Sequence, residues 1–257
     1  MDLGVVSEIG PITLLLAFGV ALIAGVVKGA IGFAMPLILV SGISSLTDPK
    51  LAIAAMLLPT VLSNLFQTFR KGVTPALEAA REYWRYLLVV CVFIALSAQL
   101  VPHISTTVFY WVLGIPVVAL SVLQLAGVRM TVAPKYRRRA EWGLGIISGV
   151  LGGFAGTWGP TTVLYLMAID TPKAKQMVVQ GVVYGLGSIT LITAHLQSGI
   201  LNRDTAPLSA ALLPIAMIGL WIGFRIQDRL DQNVFRKVTL VVLILAGLNL
   251  IRKGLLS

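Results

Sequence analysis

The sequence predicts an all-α integral membrane protein built from two inverted repeats of about five helical segments each. Broken, Gly-rich helices stand at the start of each repeat. Three observations carry this. The 257 residues are 57% hydrophobic and only 12% charged, with a mean hydropathy of +0.92, whereas soluble domains carry about 25% charged residues. Several apolar runs reach the roughly 17–25 residues needed to cross a bilayer. Finally, "GVVKGAIGFAMP" (Gly25 to Pro36) returns as "GVLGGFAGTWGP" (Gly149 to Pro160). Gly25, Val26, Gly29, Gly32 and Pro36 match Gly149, Val150, Gly153, Gly156 and Pro160 at one offset of 124, which marks an internal repeat.

The chain opens on "MDLGVVSEIG", with Asp2 and Glu8 but no Lys or Arg, so it lacks the basic n-region of a cleaved signal peptide. Apolar segments follow at 11–27, 33–46, 51–69, 86–101 and 106–126, then at 143–152, 155–169, 176–197, 206–224 and 234–251. Segments 33–46 and 143–152 are short for full crossings, and both lie in the repeated Gly/Pro region. Beyond it, Pro49-Lys50 matches Pro172-Lys173, and Gln124-Leu125 matches Asn249-Leu250. The repeats are therefore assigned to 1–127 and 128–257. An odd number of segments per repeat turns the second one upside down.

Lys and Arg counts favour the same arrangement. In an inverted protein, one side holds the basic residues of 70–85, 127–141, 170–175 and 225–237, fifteen in all, and the other holds Lys50, Arg203, Arg252 and Lys253. A parallel second half divides them twelve to seven. Cytoplasmic loops are enriched in Lys and Arg, so the inverted order is preferred, with both termini outside and a multi-pass location in the cell (inner) membrane. The +10 net charge is a matter of loop topology, and no nucleic-acid partner is expected. The expected partners are the lipid bilayer and a small anionic substrate. No motif sets an oligomeric state.

Non-helical backbone at membrane depth persists only where protein or a wet cavity satisfies its polar groups, and inverted-repeat transporters place their sites at such breaks. Gly29 and Gly32, with Gly153 and Gly156, would bring bare N–H groups close to a ligand. Pro36 and Pro160 suit the first turn of the half-helices that follow. The competing use of Gly spaced by four is close helix packing. Lys28 is a charge inside an apolar run, and such residues are usually functional; its alternative is a stem reaching out to the interface. All ten carboxylates fall at termini, loops or segment ends, so no acidic group is placed to hold a cation and the cargo is read as an anion. Thr60, Asn64 and Gln67 share one helix face, as do Gln180, Tyr184 and Ser188. Thr157, Trp158 and Thr161 lie in or beside the second motif. Lys28, Gly29, Gly32, Asn64, Gly153, Gly156, Thr157, Trp158, Thr161 and Gln180 form the candidate substrate site, with interhelical hydrogen bonding as the alternative role for the polar ones.

Enzymatic use would need a nucleophile or an acid–base pair at membrane depth. No Ser-His, Cys-His or paired-carboxylate arrangement is evident, so the chain is read as a non-enzyme. His103 and His195 lie far apart, giving metal binding little support, and no cofactor is expected. Cys91 has no partner for an internal disulfide.

The two Gly-rich motifs resemble those of the sulfite exporter TauE/SafE family of membrane permeases. The "DPKLAIA" and "DTPKAKQ" turns and the closing "LVVLILAGLNLIRK" are similar to that family as well. The resemblance implies export of a small sulfur-containing oxyanion (sulfite, sulfoacetate or a related organosulfonate) by alternating access, or else carriage of another small organic anion such as a carboxylate. It maps the family's glycine motifs onto Gly25, Gly29, Gly32 and Pro36 and onto Gly149, Gly153, Gly156 and Pro160. Lys28 departs from that pattern.

Overall fold

Local sequence decides where the helices start and stop. The computed structural model describes residue 5 and residues 9–128, 132–156, 158–169, 171, 173–227, 229 and 232–256. Helix α1 (Pro11–Ile31) begins on a proline, which has no N–H to leave unpaired, and ends at Gly32 in the left-handed conformation (φ 85°). Helix α2 (Met35–Ile43) restarts at once with Pro36 in its first turn. Helix α3 (Pro49–Phe69) is capped by the Asp48 carboxylate, which accepts from Lys50 N–H at 2.7 Å. The remaining helices are α4 (Val73–Glu82), α5 (Trp84–Leu100), α6 (Thr106–Leu125), α7 (Arg137–Ala155), α8 (Gly159–Ala168), α9 (Lys173–Gln197), α10 (Ala206–Gln227) and α11 (Gln232–Leu256). No strand occurs among the described residues. Among the described residues, five helices are long and apolar enough to cross a membrane: α1, α3, α5, α9 and α10.

The opening of each half is built alike. The caps Gly32 and Gly156, the starts of α2 and α8, and the starts of α3 and α9 are each separated by the offset seen in the sequence. Packing pairs up in the same way. Helix α1 lies on α10 and α7 on α5, while α3 meets α9 and α6 meets α11. The glycine positions give the directions. Gly25 faces Ala216 and Leu220, and Gly29 faces Leu220 and Gly223, so α1 and α10 run parallel. Gly145 faces Tyr86 and Val89 while Gly153 faces Ser97 and Ala98, so α7 and α5 run parallel as well. Gly114 faces Gly247 and Ile251, and Gly254 faces Tyr110 and Trp111, which makes α6 and α11 antiparallel.

The helix ends gather into two groups. At one end Glu82 pairs with Lys175 at 2.5 Å and with Arg137 at 3.9 Å, and Arg70 donates to Gln227 at 2.6 Å. At the other end Lys50 donates to Pro102 O at 2.9 Å, Lys253 donates to Ser44 O, and Val5 N–H bonds Asp204 O.

Three details differ from the sequence reading. The connection 70–85 contains α4, which turns Ala76, Ala79 and neighbouring Tyr83 inward and leaves Val73 and Leu77 exposed. Helix α7 starts six residues before its apolar segment, because Arg137 and Glu141 pair across one turn (3.4 Å) and carry the helix through a polar stretch. Glu141 accordingly sits in the second turn of α7 rather than at a segment end. It is only 5% exposed and accepts from the Tyr165 hydroxyl at 3.2 Å.

Candidate functional site

The two helix breaks meet inside the bundle. Gly156 is left-handed (φ 63°), and a Cβ built on it would lie 3.0 Å from Pro36; one built on Gly159 would lie 2.9 Å from the Phe33 ring. Between the breaks is a cavity of about 20 Å³, room for roughly one ordered water. The first half lines it with Lys28, Phe33, Ala34, Pro36, Leu37 and Asn64; the second contributes Gly156, Trp158, Gly159 and Tyr184. The first turns of α2 and α8 therefore border the cavity. No side chain caps α2, and a helix N-terminus carries about half a positive charge.

Lys28 is the charged element. It is 2% exposed, so its stem does not reach out to an interface. Its ammonium donates to Asn64 Oδ1 at 2.5 Å and to Gly32 O at 3.0 Å, and lies 5.0 Å from the centre of the Tyr184 ring. Both acceptors are neutral, and no carboxylate pairs with Lys28 among the described residues. A buried charge without a counter-ion is costly, and an anion beside it would relieve that cost.

The second half does not repeat this charge, for a steric reason. Lys28 corresponds to Gly152, and Ala34 corresponds to Trp158. A Cβ on Gly152 would lie 2.6 Å from the Trp158 indole. The first half thus uses a long residue on the helix and a small one in the break, and the second half reverses the order. Ala34 bears a conformational cost of its own, since it is left-handed (φ 83°) without being glycine. Trp158 is 2% exposed and packs at a tilt 6.4 Å from Tyr184, whose hydroxyl donates to Gly159 O at 3.3 Å.

Of the residues expected at the site, Lys28, Asn64, Gly156 and Trp158 line the cavity together. Gly32 caps α1 at its edge, facing the side-chain amides of Gln67 and Gln180. Thr161 is buried just behind the lining, its hydroxyl donating to Trp158 O at 3.0 Å, and does not itself line the cavity. Gly29 and Gly153 are elsewhere. Gly29 lets α1 touch the α10 backbone at Gly223, and Gly153 lets α7 touch α5 at Ser97 and Ala98 while its carbonyl meets His195 Nε2 at 3.0 Å. Their spacing served close packing, the competing use of such a motif. Thr157 lies outside the described residues. Phe33, Ala34 and Leu37 were not chosen from sequence, and Tyr184 was named on the face it shares with Gln180 but left out of the candidate site.

The family model described as "Sulfite exporter TauE/SafE" matches residues 17–250. No curated protein and no solved structure matches the chain.

Proposed function

This chain belongs to the sulfite exporter TauE/SafE family, and from that premise we propose that it exports a small sulfur-containing oxyanion, such as sulfite, sulfoacetate or a related organosulfonate, across the cell (inner) membrane. The carrying observation is Lys28: an ammonium buried where two helix breaks meet, held by an amide and a carbonyl and, among the described residues, by no carboxylate. The group it is ready to take is an anion. Lys28 binds the charged head, Asn64 orients it, and Trp158 and Tyr184 close over it, with the first turns of α2 and α8 adding their N–H dipoles. Gly32, Gln180 and Thr161 surround this lining.

The halves 1–127 and 128–257 act as inverted repeats. The parallel pairs α1–α10 and α5–α7, together with antiparallel α6–α11, fit a two-fold axis lying in the membrane plane. So does the grouping of Arg70, Glu82, Arg137 and Lys175 at one end. The broken pairs α1–α2 and α7–α8 enter and return from opposite sides. A cavity with room for about one water is smaller than an organosulfonate, which supports loading by a parting of the halves, as in alternating access. An inside-negative potential favours anion exit by about 2.3 kcal/mol per charge per 100 mV, which suffices for export without a coupled ion.

The test is counterflow in proteoliposomes with labelled sulfite and sulfoacetate, using carboxylates as competitors. Saturable exchange of either sulfur anion, abolished in Lys28→Met, is the expected result. Absence of exchange for both anions would remove the proposal, and exchange of carboxylates alone would replace the cargo.

A further inference from the structure

One turn along α3 from Asn64, the side chain of Gln67 lies near the break with neither of its polar atoms partnered. Both its Nε2 and its Oε1 are buried and make no hydrogen bond to any of the described residues. Burying an amide unpaired is destabilising, and a methionine of the same length would avoid that penalty. Such a group is commonly found where something comes and goes. Its surroundings fit a passage. A Cβ placed on Gly32 would lie 3.2 Å from Gln67 Nε2 and 3.6 Å from Gln180 Oε1, so the bare Cα of the break is what separates the two amides. Gln180 precedes Tyr184 by one turn on α9, just as Gln67 follows Asn64 on α3. The two amides therefore form a tier next to the tier of Lys28, Asn64 and Tyr184. Another turn along α3 comes Arg70, at the basic end of the molecule. Beside this tier the two helices are pinned, with Thr68 Oγ1 donating to Gly181 O at 2.6 Å.

We propose that Gln67, with Gln180, is a second anion station, passing the cargo between the Lys28 cavity and the basic end of the bundle. This rests on the transport reading given above and extends it along the path. Neutral amide donors suit such a step. They offer N–H groups to an oxyanion without the full charge that would hold it, and conduction needs sites that bind well enough to load and weakly enough to release. Gln67 acts on passage, and Lys28 on affinity.

The experiment separates rate from affinity. Gln67→Met keeps the length and removes the amide, and Gln67→Glu keeps the shape and adds a repelling charge. In purified protein, sulfite affinity of Gln67→Met should stay within about threefold of wild type, while exchange in proteoliposomes falls about tenfold or more, the scale of one hydrogen bond to a charged group. Gln67→Glu should exchange more slowly still, and Gln67→Asn, which retains an amide, should recover part of the rate. Wild-type exchange in Gln67→Met or Gln67→Glu would overturn the station. A loss of affinity in Gln67→Met as large as that of Lys28→Met would overturn it too, by making Gln67 part of the cavity itself. If Gln67→Met does not fold, the Glu and Asn variants decide by the same readouts. Wild-type protein that exchanges neither sulfite nor sulfoacetate refutes the transport reading and this station together. Wild type and variants exchanging equally refutes the station alone.

Discussion

Lys28 donates to Asn64 Oδ1 and Gly32 O, two neutral acceptors, and its Nζ lies 5.0 Å from the centre of the Tyr184 ring. Hydrogen bonds to charged groups contribute about 1.5–3 kcal/mol, so Lys28→Met should weaken binding of a sulfur oxyanion by roughly 10- to 100-fold, measured by calorimetry on purified protein. Asn64→Asp tests the same idea from the other side. It places a carboxylate where the amide oxygen accepts from the ammonium, creating an internal ion pair. Anion affinity should fall at least about tenfold while the protein stays folded; unchanged affinity would mean that the Lys28 charge does not hold the cargo. The backbone at the break has its own signature. Gly32→Ala puts a Cβ into the left-handed region at a cost of about 1–2 kcal/mol, whereas Ala34→Gly relieves the same kind of cost. Thermal unfolding of the two variants should shift in opposite directions.

Among the elements, the contact of α1 with α10 rests on the absence of side chains. Gly25 and Gly29 on one helix meet Gly219 and Gly223 on the other, with backbone against backbone. Leucine at Gly29 or Gly223 forces the helices apart and should abolish the folded peak in size exclusion. Leucine at Gly19, which has nothing within 4 Å of its Cβ position, should leave the elution profile unchanged. Within α1, Gly29 and Gly32 look alike in sequence, three residues apart in one motif. The first packs a helix and the second ends one. A missing Cβ is visible in the sequence, but the surface it meets is not, because the partner of Gly29 lies on α10 near the far end of the chain. Helix α4 went unread for a related reason: its buried face is built from Ala76, Ala79 and Tyr83, too small an apolar stripe to stand out among the charges of 70–85.

Across the whole molecule, the two groups of helix ends support the inverted arrangement proposed above. An inverted arrangement puts Ser257 outside and the segment 70–85 inside. A reporter fused after Ser257 should therefore read external, and a cysteine introduced near Lys71 in a Cys91→Ser background should be labelled only after the membrane is opened. Internal signal from the Ser257 fusion would reverse the orientation, and with it the direction assigned to export.

Composition, helix stops and the repeated motif were sufficient for an all-helical membrane protein whose two halves open alike, because each is written in local chemistry: apolar run length, prolines at helix starts, left-handed glycines at helix ends. The place where the cavity forms was legible too, since a lysine and broken helices are anomalies in an apolar run. Only the tertiary structure decided that Lys28 meets Asn64 and Tyr184, that Trp158 occupies the space Gly152 leaves bare, and that Gly29 and Gly153 serve packing. Those outcomes join residues far apart in the chain. They depend on which helix faces fit together at close range, a property of packed surfaces that no local pattern of residues encodes.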